Sequence, residues 1–206
     1  MVISSILDTD LYKFTTSYAY IKLFPYAKGT FSFKDRDETE YTEEFLNALK
    51  AEINNMVNVR LTDEELEYMA SHCRFLPRVY WEWLSSFKFN PEIIEIFLDD
   101  EKHLHIEVTD YMYKVTLYEV PLLALVSEIK NLFFNQKPDK DTIIEKLSSK
   151  VELSNANAMP FSEFGTRRRF SFEVHEMVVA YLKKYSKYCI GTSNCYLAMK
   201  YDMKPM

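Results

Sequence analysis

The alternation of apolar and polar positions divides the chain into helical and strand-like stretches with short breaks between them. After Asp8-Thr9-Asp10, whose side chains suit the start of a helix, the pattern Leu11-Tyr12-Lys13-Phe14 predicts a helix to Phe24, ended by Pro25. Phe31 and Phe33 alternate with Ser32 and Lys34, the period of a strand. Phe45, Leu49, Ile53 and Met56 recur at helical spacing between Thr42 and Val57. Thr62-Asp63-Glu64-Glu65 is a capping box that opens another helix to about His72. Pro77 suits the first turn of a further helix, which carries Val79, Trp81, Trp83 and Leu84. Ile93–Leu98 and Leu104–Val108 flank a polar Asp99–Lys102 turn and predict a hairpin, with Tyr111–Tyr118 continuing the strand character. Helical spacing returns over Leu122–Phe134 and from about Asp141 to Val151.

The last fifty residues repeat one plan. Phe161-Ser162-Glu163-Phe164 leads into Gly165-Thr166-Arg167-Arg168-Arg169 and a helix over Phe172–Tyr185; Tyr188-Cys189-Ile190 leads into Gly191-Thr192-Ser193-Asn194 and a helix from Cys195 to about Tyr201. The two Gly-Thr steps stand 26 residues apart, a length that suits one βα unit of a parallel sheet. An α+β arrangement followed by βα units is therefore expected.

Composition narrows the chemistry. The 206 residues include 48% hydrophobic and 16% aromatic residues, enough large side chains for a sizeable core. There are three glycines, Gly29, Gly165 and Gly191, so neither a dinucleotide fingerprint nor a Walker loop can be written in this sequence. The net charge of −6 weighs against nucleic-acid binding over the whole surface, while three of the seven arginines, Arg167–Arg169, form a local cationic cluster. Cys73, Cys189 and Cys195 lack paired spacing, which argues against a disulfide framework or a zinc site and fits a reducing cytoplasm. No secretory leader is evident, and the apolar run Val120–Val126 is too short to span a bilayer, so no membrane partner is expected.

Residues that follow a strand and precede a helix in a βα unit lie at the carboxyl edge of the sheet, where α/β proteins bind ligands. Both Gly-Thr steps belong there. In the first, guanidinium groups and free backbone N–H groups could converge on a phosphate or carboxylate. In the second, Thr192, Ser193 and Asn194 supply hydroxyl and amide groups. Each feature also has a plainer reading: a solvated arginine face with one structural ion pair, an ordinary turn and cap, Asp10 as a helix cap, and Tyr12 as a packing residue. His103 and His105 share one side of a strand without a third metal ligand, and they read as structural, as do His72 and His175.

Four blocks in order shift this balance: Leu7–Lys13, Tyr118–Leu125, Glu163–Ser171 and Gly191–Asn194. Together they resemble motifs of the nicotinate phosphoribosyltransferases, over the whole chain but only about the amino-terminal half of a usual member. The resemblance implies an α/β fold: an amino-terminal α+β domain over residues 1–118 and the first, incomplete part of an irregular α/β barrel over 119–206. It implies that nicotinate is joined to phosphoribosyl pyrophosphate, with ATP and Mg2+ as helpers, to give nicotinate mononucleotide for NAD salvage. It further implies a homodimer in which Tyr12, with Asp10 beside it, stacks on the pyridine ring of the neighbouring subunit. Phe164 would form the opposite wall beside Gly165, Arg167 and Arg168 would bind the phosphates, with Arg169 a less certain third, and Thr192, Ser193 and Asn194 would support them. The family's phosphorylated histidine block comes after the position of Met206, so no residue here is assigned a catalytic role and the isolated chain is expected to be inactive. A nicotinamide- or quinolinate-using relative, or a non-catalytic module that docks an acidic partner through Arg167–Arg169, are the alternatives.

Overall fold

The structure, a computed structural model, describes residues 2–35, 39–134 and 138–206. A three-stranded antiparallel sheet and a set of helices form the first layer pair. Its strands are β1 (Lys28–Ser32), β2 (Ile94–Leu98) and β3 (Leu104–Tyr111), in the order β1-β3-β2. Thr30 pairs with Thr109 and Ile96 with Ile106, so the hairpin predicted around Asp99–Lys102 is present. Leu104, Ile106 and Val108 alternate inward along the central strand, the period that places one face of a sheet against a core.

Helices α1 (Leu11–Leu23), α2 (Glu43–Asn55), α3 (Asp63–His72) and α4 (Arg78–Ser86) follow the predicted spans closely. The Thr62 hydroxyl accepts from the Glu65 N–H at 3.2 Å, and the Glu65 carboxylate accepts from the Thr62 N–H at 2.9 Å, completing the capping box. Pro77 stands at the N-cap of α4, one residue before the first turn. The apolar faces meet in one core, where Phe14 and Trp81 pack edge to face at 5.4 Å between ring centroids and Tyr41 lies 4.5 Å from Phe45.

One expectation fails. Tyr111–Tyr118 does not extend the sheet: β3 ends at Tyr111, the Met112 N–H donates to the Ala27 carbonyl at 2.8 Å, and helix α5 (Met112–Phe134) begins there. This helix is buried on nearly every side, with Val115, Thr116, Leu117, Tyr118, Val120 and Leu122 all enclosed. A helix without a polar face has no 3.6-residue signature, and its aromatic and β-branched residues then imitate a strand. It runs unbroken past Tyr118 and carries Pro121 in its interior. Both α1 and α2 pack along it.

After α6 (Lys140–Ala156), which extends five residues beyond the predicted end, the chain forms the βα repeat read from the sequence: β4 (Phe161–Glu163), α7 (Phe172–Tyr185), β5 (Cys189–Thr192) and α8 (Cys195–Lys200). Strands β4 and β5 are parallel. The closing segment lies along β5, with Thr192 N–H donating to the Lys204 carbonyl at 3.1 Å and Met206 N–H to the Thr192 carbonyl at 3.0 Å. Gly191 makes that approach possible, because a Cβ there would stand 2.2 Å from the Lys204 carbonyl oxygen. Gly191→Ala is expected to lower the unfolding free energy by about 1–3 kcal/mol, read as a lower urea midpoint with unchanged slope; an unchanged midpoint would show that the closing segment can move aside freely.

Candidate functional site

The site gathers where the amino-terminal segment meets the two Gly-Thr loops. Leu11 N–H donates to the Ser193 carbonyl at 2.9 Å, Cys195 N–H to the Thr9 carbonyl at 3.0 Å and Tyr196 N–H to the Leu7 carbonyl at 2.9 Å. This ladder brings Asp8 and Asp10 to the ends of β4 and β5. Asp10 occupies the N-cap position of α1, yet its side chain does not cap the helix. Its carboxylate accepts instead from the Ser193 hydroxyl at 2.7 Å.

The three adjacent arginines have three different surroundings. Arg167 is 40% exposed in its side chain, with Nε 3.6 Å from Asp10 Oδ2 and a terminal nitrogen 3.7 Å from Glu119 Oε1. Those separations are too long for hydrogen bonds, so the guanidinium keeps donors for a ligand. Arg168 is exposed and, among the described residues, forms no ion pair. Arg169 is enclosed, gripping Asp8 through two nitrogens at 2.6 and 2.8 Å and Glu128 through Nε at 2.5 Å. The cluster read from sequence is thus two cations facing outward and one facing in.

Tyr12, in the first turn of α1, is half-buried, and its hydroxyl lies 3.4 Å from Glu119 Oε1. Glu119 is also paired with Lys13, whose ammonium group stands 4.6 Å from the Tyr12 ring centroid. Phe164, between β4 and Gly165, is 54% exposed. Thr192, Ser193 and Asn194 are fully buried. Their polar groups serve neighbours: Thr192 donates to Glu163 at 2.6 Å, Ser193 to Asp10, and Asn194 to Asp8 at 2.8 Å while its Oδ1 accepts from Leu197 N–H and caps α8.

Glu163 joins the two loops. Its Oε1 accepts from Gly165 N–H at 2.5 Å and lies 3.0 Å from His175 Nε2, its Oε2 accepts from Thr192, and its carbonyl accepts from Ser193 N–H at 3.0 Å. Burial pushes this carboxyl up, but His175, Thr192 and the Gly165 N–H outweigh it and hold it below its ordinary value. His175 is therefore a buried structural partner. His103 and His105 serve the β2–β3 turn, with His105 Nε2 2.8 Å from Asp99, and His72 stacks on Tyr68 at 4.0 Å. Glu119, Glu128, Glu163 and Lys13 escaped sequence reasoning. Glu119 lies inside a recognisable block, whereas Glu128 is one acidic residue on an apolar helix and gives no local signal. An aromatic groove of about 470 Å³, lined by Tyr18, Tyr80, Trp83, Tyr111 and Tyr113, shares no residue with the loops.

The arrangement is that of an α/β protein with an arginine loop and an exposed aromatic ring at the carboxyl ends of parallel strands. Residues 7–127 match the model of the nicotinate phosphoribosyltransferase amino-terminal domain, and residues 159–206 match the nicotinate phosphoribosyltransferase family model. The chain belongs to the nicotinate phosphoribosyltransferase family, an enzyme family of NAD biosynthesis. It is 35% identical to a nicotinate phosphoribosyltransferase of Chromohalobacter salexigens and 36% identical to one of Methanosarcina mazei, each aligned over all of this chain and over 53% and 55% of theirs. The crystal structure of nicotinate phosphoribosyltransferase from Porphyromonas gingivalis superposes with a TM-score of 0.97 at 43% identity, and that from Vibrio cholerae with 0.90 at 28%. All of this chain is covered in both, against 53% and 51% of theirs. The chain spans about half the length of the curated relatives it matches.

A carboxyl held below its ordinary value by folded-state partners contributes stability that is present above about pH 4.3 and lost as pH falls through the lowered folded value. Glu163→Gln should therefore cost about 1–3 kcal/mol at neutral pH, with the gap to the unsubstituted protein narrowing in urea titrations carried below about pH 4. A gap independent of pH would mean that Glu163 is not ionised in the fold.

Proposed function

We propose that this chain contributes the ring and phosphate contacts of a nicotinate phosphoribosyltransferase that joins nicotinate to phosphoribosyl pyrophosphate and releases nicotinate mononucleotide and pyrophosphate. The observation that carries this reading is the pairing of Arg168, without an ion partner among the described residues, with the half-exposed Phe164 on one loop. A guanidinium donates to phosphate oxygens in a fork, and an exposed phenyl face offers a stacking wall to an electron-poor ring.

In this reading Arg168 meets the phosphates directly, and Arg167 turns from its long contacts with Asp10 and Glu119 to do the same. Asp10, fixed by Ser193, limits how far Arg167 can swing. Tyr12 supplies the second ring wall, to the neighbouring subunit of a two-fold dimer, while Thr192, Ser193 and Asn194 act in support by holding the loops. The pyridine nitrogen must attack an anomeric carbon that gains positive charge as pyrophosphate departs. The chain's contribution is alignment of the two partners and neutralisation of the leaving group's charge.

The same reading brings ATP and Mg2+ to the whole protein. Among the described residues no group of three or more His, Cys, Asp or Glu side chains is placed to hold a metal ion, and none of the three glycines lies in a Walker loop. In this reading the described residues contact the ring and the phosphoribosyl phosphates, and Mg2+, which needs only one or two carboxylates besides phosphate oxygens, would arrive with the pyrophosphate and neutralise its charge. The reading places the remaining machinery in the half of the relatives' length that these 206 residues do not span, and the protein in the cytoplasm; by itself the chain would bind but not transfer.

The test is formation of nicotinate mononucleotide by the intact protein, with nicotinamide and quinolinate in parallel. Arg168→Ala should raise the KM for phosphoribosyl pyrophosphate by about 10- to 100-fold, the value of one charged hydrogen bond, and Phe164→Ala should raise the KM for nicotinate. Unchanged constants in both variants, or turnover of another ring in place of nicotinate, would overturn the reading.

A further inference from the structure

We propose that Arg169 is a positioning residue, which sets the loop bearing Phe164, Arg167 and Arg168 by gripping Asp8 and Glu128 and takes no part in phosphate binding. The proposal rests on the reading of Arg167 and Arg168 as phosphate contacts.

Sequence reading leaves Arg169 only a less certain third phosphate contact, and in the structure its side chain is 1% exposed. Its two terminal nitrogens are engaged by Asp8 in a fork and its Nε by Glu128, and its guanidinium also lies 5.1 Å over the Phe172 ring. The backbone on either side is tied to α5, with the Ser127 hydroxyl donating to the Arg169 carbonyl at 2.9 Å and the Asn131 amide to the Phe170 carbonyl at 3.2 Å. Asp8 Oδ1 accepts in addition from Asn194, whose amide reaches Thr166 Oγ1 at 3.3 Å.

One guanidinium thus connects the amino-terminal segment, α5, the Thr166–Arg168 turn and the Thr192–Asn194 loop. The charge balance excludes a second duty. Two enclosed carboxylates surround one cation, so a phosphate drawn to Arg169 would meet a surplus of negative charge. The fork geometry is also specific to arginine: a lysine keeps the charge but presents no planar pair of donors to Asp8 while reaching Glu128.

Asp8→Asn separates the two roles, because it leaves Arg169 and its charge in place and relieves the surplus. It is compared in the intact protein with Arg169→Lys and Arg168→Ala. The readouts are calorimetric binding of inorganic pyrophosphate and amide hydrogen exchange, followed separately over residues 164–170 and 192–194 and over α2 and α3. Positioning predicts that Asp8→Asn and Arg169→Lys each weaken pyrophosphate binding by at least fivefold, with faster exchange confined to the two loops. It also predicts that the triple variant Asp8→Asn, Glu128→Gln, Arg169→Met recovers slow loop exchange, since no buried charge is left alone. Pyrophosphate binding by Asp8→Asn that equals or exceeds that of the unsubstituted protein, or loop exchange that does not change, would overturn the proposal. Failure of the underlying reading has a different signature: Arg168→Ala would leave pyrophosphate binding intact, and loop exchange in Asp8→Asn would still decide whether Arg169 positions the loop.

Discussion

Residues Asp8–Asp10 and Thr192–Asn194 are more than 180 positions apart in sequence, yet they pair backbone to backbone and side chain to side chain. Everything at the ends of β4 and β5 depends on that closure. It delivers Asp10 to Ser193 and Asp8 to Asn194 and Arg169, and it lets α1 start beside the loop so that Tyr12 and Lys13 reach Glu119. Such a contact carries a large loop-closure cost and must be stabilised by strong local interactions. The two-pronged grip of Arg169 on Asp8 and the backbone ladder beside it provide them.

Enclosed ionic groups are weak evidence for stability, because desolvation offsets much of their attraction. Their geometric demand is what counts here. Arg169 is raised despite burial, because Asp8 and Glu128 favour its charged form, whereas Glu128 is pushed up by burial more than Arg169 draws it down. Glu163, in contrast, is drawn below its ordinary value by its hydrogen-bonding neighbours. Glu128 and Glu163 thus stand in different electrostatic surroundings, and with Asp8 each is bonded to one or both of the two loops. The consequence is a hydrogen-bonded frame with Arg167, Arg168 and Phe164 on its open side.

Much of this is legible in the sequence. The capping box at Thr62, the hairpin around Asp99–Lys102 and the two Gly-Thr steps are local signals, because capping, turn formation and a strand-to-helix switch are decided by residues a few positions apart. The start of α5 was not legible, because a helix buried on nearly every side shows little of the polar face that makes helical spacing visible. The capping role read for Asp10 also failed, since a local rule cannot know that Ser193, from a distant segment, will engage its carboxylate. Glu128 and Glu163 were missed for a related reason: each matters only through partners from distant segments.

The sequence by itself determined the order and type of most elements, the parallel βα repeat and the presence of an arginine cluster between a glycine-bearing turn and a helix, because these follow from short-range periodicity and turn chemistry. Tertiary structure alone decided which arginine faces solvent and which is enclosed. Arg167, Arg168 and Arg169 are chemically identical neighbours, and their difference comes from Asp8, Glu128, Asp10 and Glu119, which the fold carries to them from other segments. Charge is a property of the residue, but its availability is a property of what stands opposite.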